Sequence, residues 1–205
     1  MALAQTEGTS DRLSKDQRRQ VLLAKAAELV ATNAADLSMD AVAEAAGVSR
    51  PLLYKHFANR DELFAAVYRR EAALLHEELS EAVVSATGIE GRFRALIEGA
   101  LRAQRSRGGA LAALRAAGVR SDEFQVEQAG RDRQTVRYFT HTAVRELGTD
   151  EKATRSTVSI LLRMVVPVLA EWRLRPTAQN ANRLAQAYVD ICMGALERLR
   201  RQPGG

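Results

Sequence analysis

A chain of 205 residues, 46% of them hydrophobic, is long enough to bury a substantial core, and such a composition excludes a disordered or low-complexity protein. The net charge of +5 and an isoelectric point near 9.8 suit a nucleic-acid partner without establishing one. A single cysteine, Cys192, excludes an intramolecular disulfide framework; within its apolar run it reads as a small buried residue. The first dozen residues, MALAQTEGTSDR, lack the apolar core of a signal peptide, so 1–13 are expected to form a loose tail. No stretch is expected to span a bilayer, because LLRMVVPVLAEW is short and carries Arg163. The expectation is a cytoplasmic protein with no membrane partner.

In chain order, Ser14 and Gln17 make a capping box for a first helix, on which Leu22, Ala26 and Leu29 form a core stripe. Lys15, Arg18 and Arg19 crowd its first turn, where cations oppose the helix dipole. A nearby DNA phosphate accounts for that misfit, and a plain solvated face accounts for it equally. Ala34, Ala35 and Asp36 form a short connection before Ser38, which caps a second helix.

Residues 38–57, SMDAVAEAAGVSRPLLYKHF, read as two short helices meeting at a tight turn. Met39, Val42, Ala43 and Ala46 make one apolar face, with Asp40 and Glu44 off it. Gly47 suits the left-handed conformation that ends a helix, and small Ala43 lets another helix cross closely. Ser49 or Arg50 caps the next helix, and Pro51 is tolerated because it lies in the first turn. Leu53 and Phe57 bury one face of this helix, which leaves Arg50, Leu52, Tyr54, Lys55 and His56 pointing elsewhere. A cation and an apolar group at the helix start, followed by a phenol, an ammonium and an imidazole, suit a helix laid N-terminus first into a DNA major groove. The candidate DNA-binding residues are Ser38, Ser49, Arg50, Pro51, Leu52, Tyr54, Lys55 and His56. A helical hairpin with a solvated face is the plainer reading of the same spacing. Charge gives no general pull, since residues 1–60 carry eight cations (Arg12, Lys15, Arg18, Arg19, Lys25, Arg50, Lys55, Arg60) against seven acids.

The run GVSRPLLYKHF, followed by ANRDELFAAV, resembles the helix-turn-helix and following helix of TetR-family transcriptional regulators. The likeness is close over residues 15–68, where Gly47, Val48, Ser49, Leu53, Tyr54, His56 and Phe57 match the family pattern residue by residue. Pro51 and Leu52 stand where a small residue and a threonine are frequent, which bears on base preference. The resemblance implies a homodimer formed by the last helices, a double-stranded DNA operator and a small-molecule effector.

Asn59 with Glu62 caps a long helix from Asp61 to about Ala86, ended at Gly88. A helix from Ile89 to Arg107 is closed by Gly108 and Gly109, and a brief one from Ala110 to Ala117 ends at Gly118. Ser121 caps a helix from Asp122 to Leu147, stopped by Gly148. Thr149 or Asp150 opens the next, which reaches Arg175 with a bend near Arg163 imposed by Pro167. Pro176 breaks the chain, and Thr177 caps a last helix that runs to about Arg201. The fold class is therefore all-α with about nine helices. A three-helix helix-turn-helix domain (14–58) precedes a helical effector-binding and dimerisation domain (59–202), and 203–205 fray.

The last two long helices are apolar over more than one stripe, which suits either a monomeric helical core or burial on two sides, one against a second copy in a four-helix bundle, and the TetR resemblance implies the second copy. Leu161, Val165, Leu184, Tyr188, Ala195 and Leu199 are the candidate seam. Phe93, Ile97, Phe124, Tyr138, Met164 and Trp172 are candidates to line an effector pocket between helices, with plain core packing the alternative reading for the aromatic ones. Catalysis finds little support: His56, His76 and His141 are far apart in sequence, and no metal-ligand pair, nucleophile elbow or phosphate loop accompanies them. No cofactor or metal is expected. The combined reading is a DNA-binding regulator, foremost a repressor released by a largely apolar effector. A helical carrier or adaptor that never touches DNA is the alternative.

Overall fold

Cap chemistry starts most of the helices where side-chain hydroxyls and carboxamides precede an apolar stripe. The computed structural model describes residues 14–33, 38–116 and 122–201, the side chains of 31, 33, 107–116 and 122–128 excepted. Nine helices occur among them and no strand: α1 (Lys15–Asn33), α2 (Met39–Ala45), α3 (Arg50–Tyr54), α4 (Arg60–Ser85), α5 (Gly88–Ala116), α6 (Asp122–Leu147), α7 (Glu151–Arg163), α8 (Val165–Leu174) and α9 (Ala178–Arg200). The tail, the connection at Ala34 to Asp36, the stop at Gly118, the cap at Ser121 and the frayed end lie outside the described residues.

The Ser14 hydroxyl accepts from the Gln17 amide at 3.1 Å while Gln17 Oε1 accepts from the Ser14 amide at 2.7 Å, closing the box expected for α1. Ser38, Asn59, Asp150 and Thr177 accept in the same way from Ala41, Glu62, Ala153 and Asn180. Asp150, rather than Thr149, thus opens α7. Ser49 is the N-cap of α3 but makes no side-chain cap bond, and Arg50 is already helical.

Two boundaries depart from the sequence expectation. Gly108 and Gly109 do not stop a helix: α5 runs through them to Ala116. Each glycine costs a helix interior about 1 kcal/mol relative to alanine, and the alanine- and leucine-rich run that follows offsets it. Conversely, the single helix expected up to Arg175 is two. Pro167 has no N–H to give the Arg163 carbonyl, and the break falls at Met164, whose N–H donates to the Leu161 carbonyl at 3.1 Å.

Two apolar cores result. The first gathers Leu22, Leu23, Ala26 and Val30 of α1, Met39, Val42 and Ala43 of α2, Leu53 and Phe57, and Leu63, Phe64 and Val67 of α4. The first turns of α4 therefore belong to the same core as the helix-turn-helix. The second is aromatic at its centre: Phe93 lies 4.9 Å from the Phe139 ring and 6.1 Å from that of Tyr188, with Ile97, Val158, Leu161 and Leu196 around them. The Tyr188 hydroxyl donates to the Leu161 carbonyl at 3.1 Å, and burial pushes the neighbouring Cys192 thiol up to about 12. At the edge of this core the Glu146 carboxylate accepts from the Ile89 amide at 2.7 Å, and Arg92 donates to Thr142, tying α5 to α6. Long α5 packs on α4 and α9 and also reaches α1, so it touches both halves of the chain.

Together α7 and α8, Glu151–Leu174, make a helical run of 24 residues that is long and apolar enough to cross a membrane, contrary to the expectation from sequence. The helical run extends the short apolar stretch LLRMVVPVLAEW on both sides. Only 17% of its most apolar window is buried within the chain.

The turn between α2 and α3 carries a direct test. Gly47 has φ +63°, its N–H donates to the Glu44 carbonyl at 3.0 Å and the Val48 N–H to that of Ala43 at 2.9 Å. Nothing lies within 4 Å of a Cβ built there, so the cost of a side chain is backbone strain alone. Gly47→Ala should lower stability by about 1 kcal/mol, read as a shift in the denaturant midpoint without a change in slope.

Candidate nucleic-acid interface

α3 is five residues long and cannot hold itself as an isolated helix. Leu53 and Phe57 are buried against α1, α2 and α4 and fix its orientation. What remains outside is the expected set. Ser49, Arg50, Pro51, Tyr54 and Lys55 are exposed, and Leu52 and His56 are half-buried. Ser38 is exposed at the start of α2; its oxygen accepts a cap bond, which leaves the O–H hydrogen for an outside acceptor. All eight predicted residues lie on the two helices of the turn and their caps.

The structure adds three residues that the sequence presented without a place. Lys15, Arg18 and Arg19, at the start of α1, lie close enough for their charges to act on His56. The Arg19 guanidinium also lies 4.8 Å from the centre of the Phe57 ring, which fixes it beside the end of α3. Partial burial first, and these three cations next, hold the His56 imidazole below its ordinary 6.5. Its Nδ1 is buried without a hydrogen-bond partner. Four groups able to meet a phosphate thus gather at one end of the reading helix. Their signal in the sequence was the wrong-signed first turn of α1, which periodicity alone could not connect to a residue forty positions later.

Arg50 is engaged in the chain itself: its Nε lies 2.5 Å from Asp40 Oδ1 across the turn. Both members are well exposed, so the pair adds little to stability.

Among the described residues, none of those expected to line an effector pocket borders the cavity between α4 and α5. Phe93 and Ile97 are wholly buried in the second core and Trp172 nearly so; Tyr138 and Met164 pack against that core half-buried; the Phe124 side chain lies outside the described residues. Edge-to-face and tilted rings pack the centre of this core. The cavity between α4 and α5 has a volume of about 290 Å³ and is lined by Glu78, Leu79, Gly99, Arg102, Ala103 and Ser106. No periodic signal marks it, and its wall at Gly99 is tight, since a Cβ there would meet Leu79 Cδ2 at 2.6 Å.

Two seam candidates also fall inside. Leu161 and Tyr188 are buried within their own chain and hydrogen-bonded to one another, so neither has surface to give a second copy. Val165, Leu184, Ala195 and Leu199 are half-buried. The surface left uncovered belongs to residues outside the six seam candidates: Ile160 is 64% exposed, Val166 52%, Leu174 75% and Ile191 49%. Among the described residues no group of three His, Cys, Asp or Glu could hold a metal.

A helix-turn-helix packed against a larger helical domain defines the class of protein. Residues 22–67 match the family model for bacterial regulatory proteins of the tetR family. The chain is 37% identical over 89 residues to the HTH-type transcriptional activator FasR of Mycolicibacterium smegmatis, a match that spans 43% of this chain and 41% of that protein. Solved structures share the whole fold. A protein from Rhodococcus sp. RHA1 superposes with a TM-score of 0.73 at 23% identity, covering 95% of this chain and 100% of that one. A tetR-family transcriptional regulator from Streptomyces coelicolor gives 0.71 at 18% identity, covering 93% and 89%. Residues 22–67 thus carry the N-terminal DNA-binding domain described for the tetR family, and the chain as a whole shares the fold of solved tetR-family regulators.

The crowded imidazole yields a pH test with two signs. Because the folded chain binds the His56 proton less readily than the unfolded chain, its contribution to stability is present above 6.5 and is lost as pH falls below that value toward the folded pKa. A phosphate placed among the same cations reverses the balance and favours the imidazolium. DNA affinity should therefore rise as pH falls from 7.5 to 5.5 while the free protein becomes easier to unfold. His56→Gln should flatten both trends, as read by fluorescence anisotropy and by chemical denaturation.

Proposed function

We propose that the protein is a DNA-binding transcriptional regulator that grips a near-palindromic operator as a homodimer and is controlled by a small, largely apolar effector. The observation that carries this reading is the outward set on α3 beside the cation cluster from α1. The first residues of α3 read base edges in the major groove, while Tyr54, Lys55, His56, Lys15, Arg18 and Arg19 hold phosphates. Its domains divide the work: 14–58, with the first turns of α4, reads DNA, and the remainder to 202 senses and assembles. No catalytic step, metal or cofactor enters this function, and it is exercised in the cytoplasm, where the DNA is.

The seam is the exposed apolar surface of α7, α8 and α9. Ile160, Val166 and Ile191 carry it, with Leu184, Ala195 and Leu199 at its edges and Gly194, which has nothing within 4 Å of a built Cβ, allowing close approach. Apolar area of this kind is covered by a partner or aggregates. It also explains why a helical run apolar enough for a bilayer occurs in a regulator: its outer face meets a twin rather than lipid. The two reading helices then address half-sites roughly 34–36 Å apart or a multiple of that distance. Ile191→Glu should halve the mass found by light scattering and weaken operator binding on the order of 100-fold, because each half-site is then bound singly. A single-chain mass for the parent protein, with and without DNA, would remove the dimer from this reading.

Effector control follows from the two helices that span the molecule. α4 has its start in the first core and Val83 in the second, and α5 touches α1 while its Phe93 and Ile97 lie in the second core. An apolar compound that parts the aromatic cluster must move α5 or α6, and with α5 the reading half. Repression is the expected sign where the operator overlaps a promoter; the relative from M. smegmatis is named an activator. A compound that raises the melting temperature should release the operator about 5- to 150-fold, and operator DNA should weaken that compound's binding by the same factor. A saturating ligand that leaves DNA affinity unchanged refutes the switch and leaves the reading helix standing.

A further inference from the structure

We propose that Asp40 is a specificity-determining residue, which positions Arg50 to read a guanine and withholds it from phosphates. The proposal rests on the DNA-reading assignment of α3 and adds to it a residue outside that helix. Asp40 is the second residue of α2 and Arg50 the first of α3; the turn at Gly47 brings them together, Asp40 Oδ1 to Arg50 Nε at 2.5 Å.

The geometry of that contact decides its consequence. A guanidinium carries five N–H donors, one on Nε and four on the terminal nitrogens. A carboxylate on Nε occupies the side of the fork and leaves the terminal nitrogens to present a parallel pair of N–H bonds. Guanine O6 and N7 accept such a pair in the major groove. Arg50 can therefore engage a guanine with its bond to Asp40 intact. A phosphate is a different case, because it brings negative charge against the Asp40 carboxylate or requires the pair to break. The same contact thus favours one ligand of the arginine over the other.

Two further observations agree. The side chains of Arg50 and Asp40 are 67% and 52% exposed, so the pair contributes little to the stability of the fold. A cation in the first turn of a helix opposes the dipole, so local helix chemistry does not call for Arg50 at that position either. An arginine held there by an acid from the neighbouring helix is oriented, at little gain in stability.

The test uses the full chain and a pool of random duplex DNA, with the bound fraction sequenced for the parent, Asp40→Asn, Arg50→Ala and the double variant. The parent should select guanine at one position of each half-site, and Arg50→Ala should lose that preference. Asp40→Asn should weaken it about tenfold, while affinity for unrelated DNA rises. On the Arg50→Ala background, Asp40→Asn should change nothing further at that base, and Asp40→Glu should restore part of the preference. Matching thermal melts show that the variants fold. An Asp40→Asn protein that keeps the parent's guanine preference, or that changes affinity for all sequences alike, overturns the role of Asp40 alone. A parent that selects no sequence overturns the DNA-reading assignment and this proposal with it.

Discussion

A helix of five residues has too few internal hydrogen bonds to persist, so the reading surface depends on the burial of Leu53 and Phe57. These two side chains are the means by which α1, α2 and α4 hold α3 at a fixed angle. Everything outward on α3 inherits its direction from that packing. The turn at Gly47 sets where the helix begins, and the first core sets which way it faces. Arg19, stacked on the Phe57 ring, joins the two functions, since the residue that anchors the helix also seats a cation beside it.

What was legible in the sequence was mostly local. Ser14 with Gln17, Ser38, Asn59 with Glu62 and Thr177 announced their helices because a cap is a bond between near neighbours. The outward set of α3 was legible for the same reason, being one contiguous stretch. Penalties were harder to weigh. Gly108 and Gly109 cost a helix something but forbid nothing, and α5 passes through them; Pro167 removes a donor outright, and the helix breaks.

Partition of wide apolar faces was not legible. Leu161 and Tyr188 turned inward and Ile160 and Ile191 outward, although each pair is apolar and adjacent or nearly so on its helix. Periodicity says that a helix has two greasy sides without saying which belongs to its own chain. The aromatic residues of the second core posed the same difficulty, since rings that could line a cavity are the rings that fill one. Contacts across the turn, such as Asp40 with Arg50, and across helices, such as Arg19 with Phe57, carry no periodic signal at all.

The single thiol of the second core has a consequence of its own. Burial pushes the Cys192 thiol up to about 12, so almost none of it is thiolate at neutral pH, and its side chain is fully buried. An opened core returns the group to solvent and to an ordinary thiol pKa, near 8.5. Its modification rate is therefore a clock for opening that needs no engineered label. Since Cys192 packs beside Tyr188, and Tyr188 on Phe93 of α5, the clock sits on the path by which the second core is coupled to the first. Fast labelling reports a loose core and slow labelling a closed one, so the breathing of this interior can be followed by mass alone.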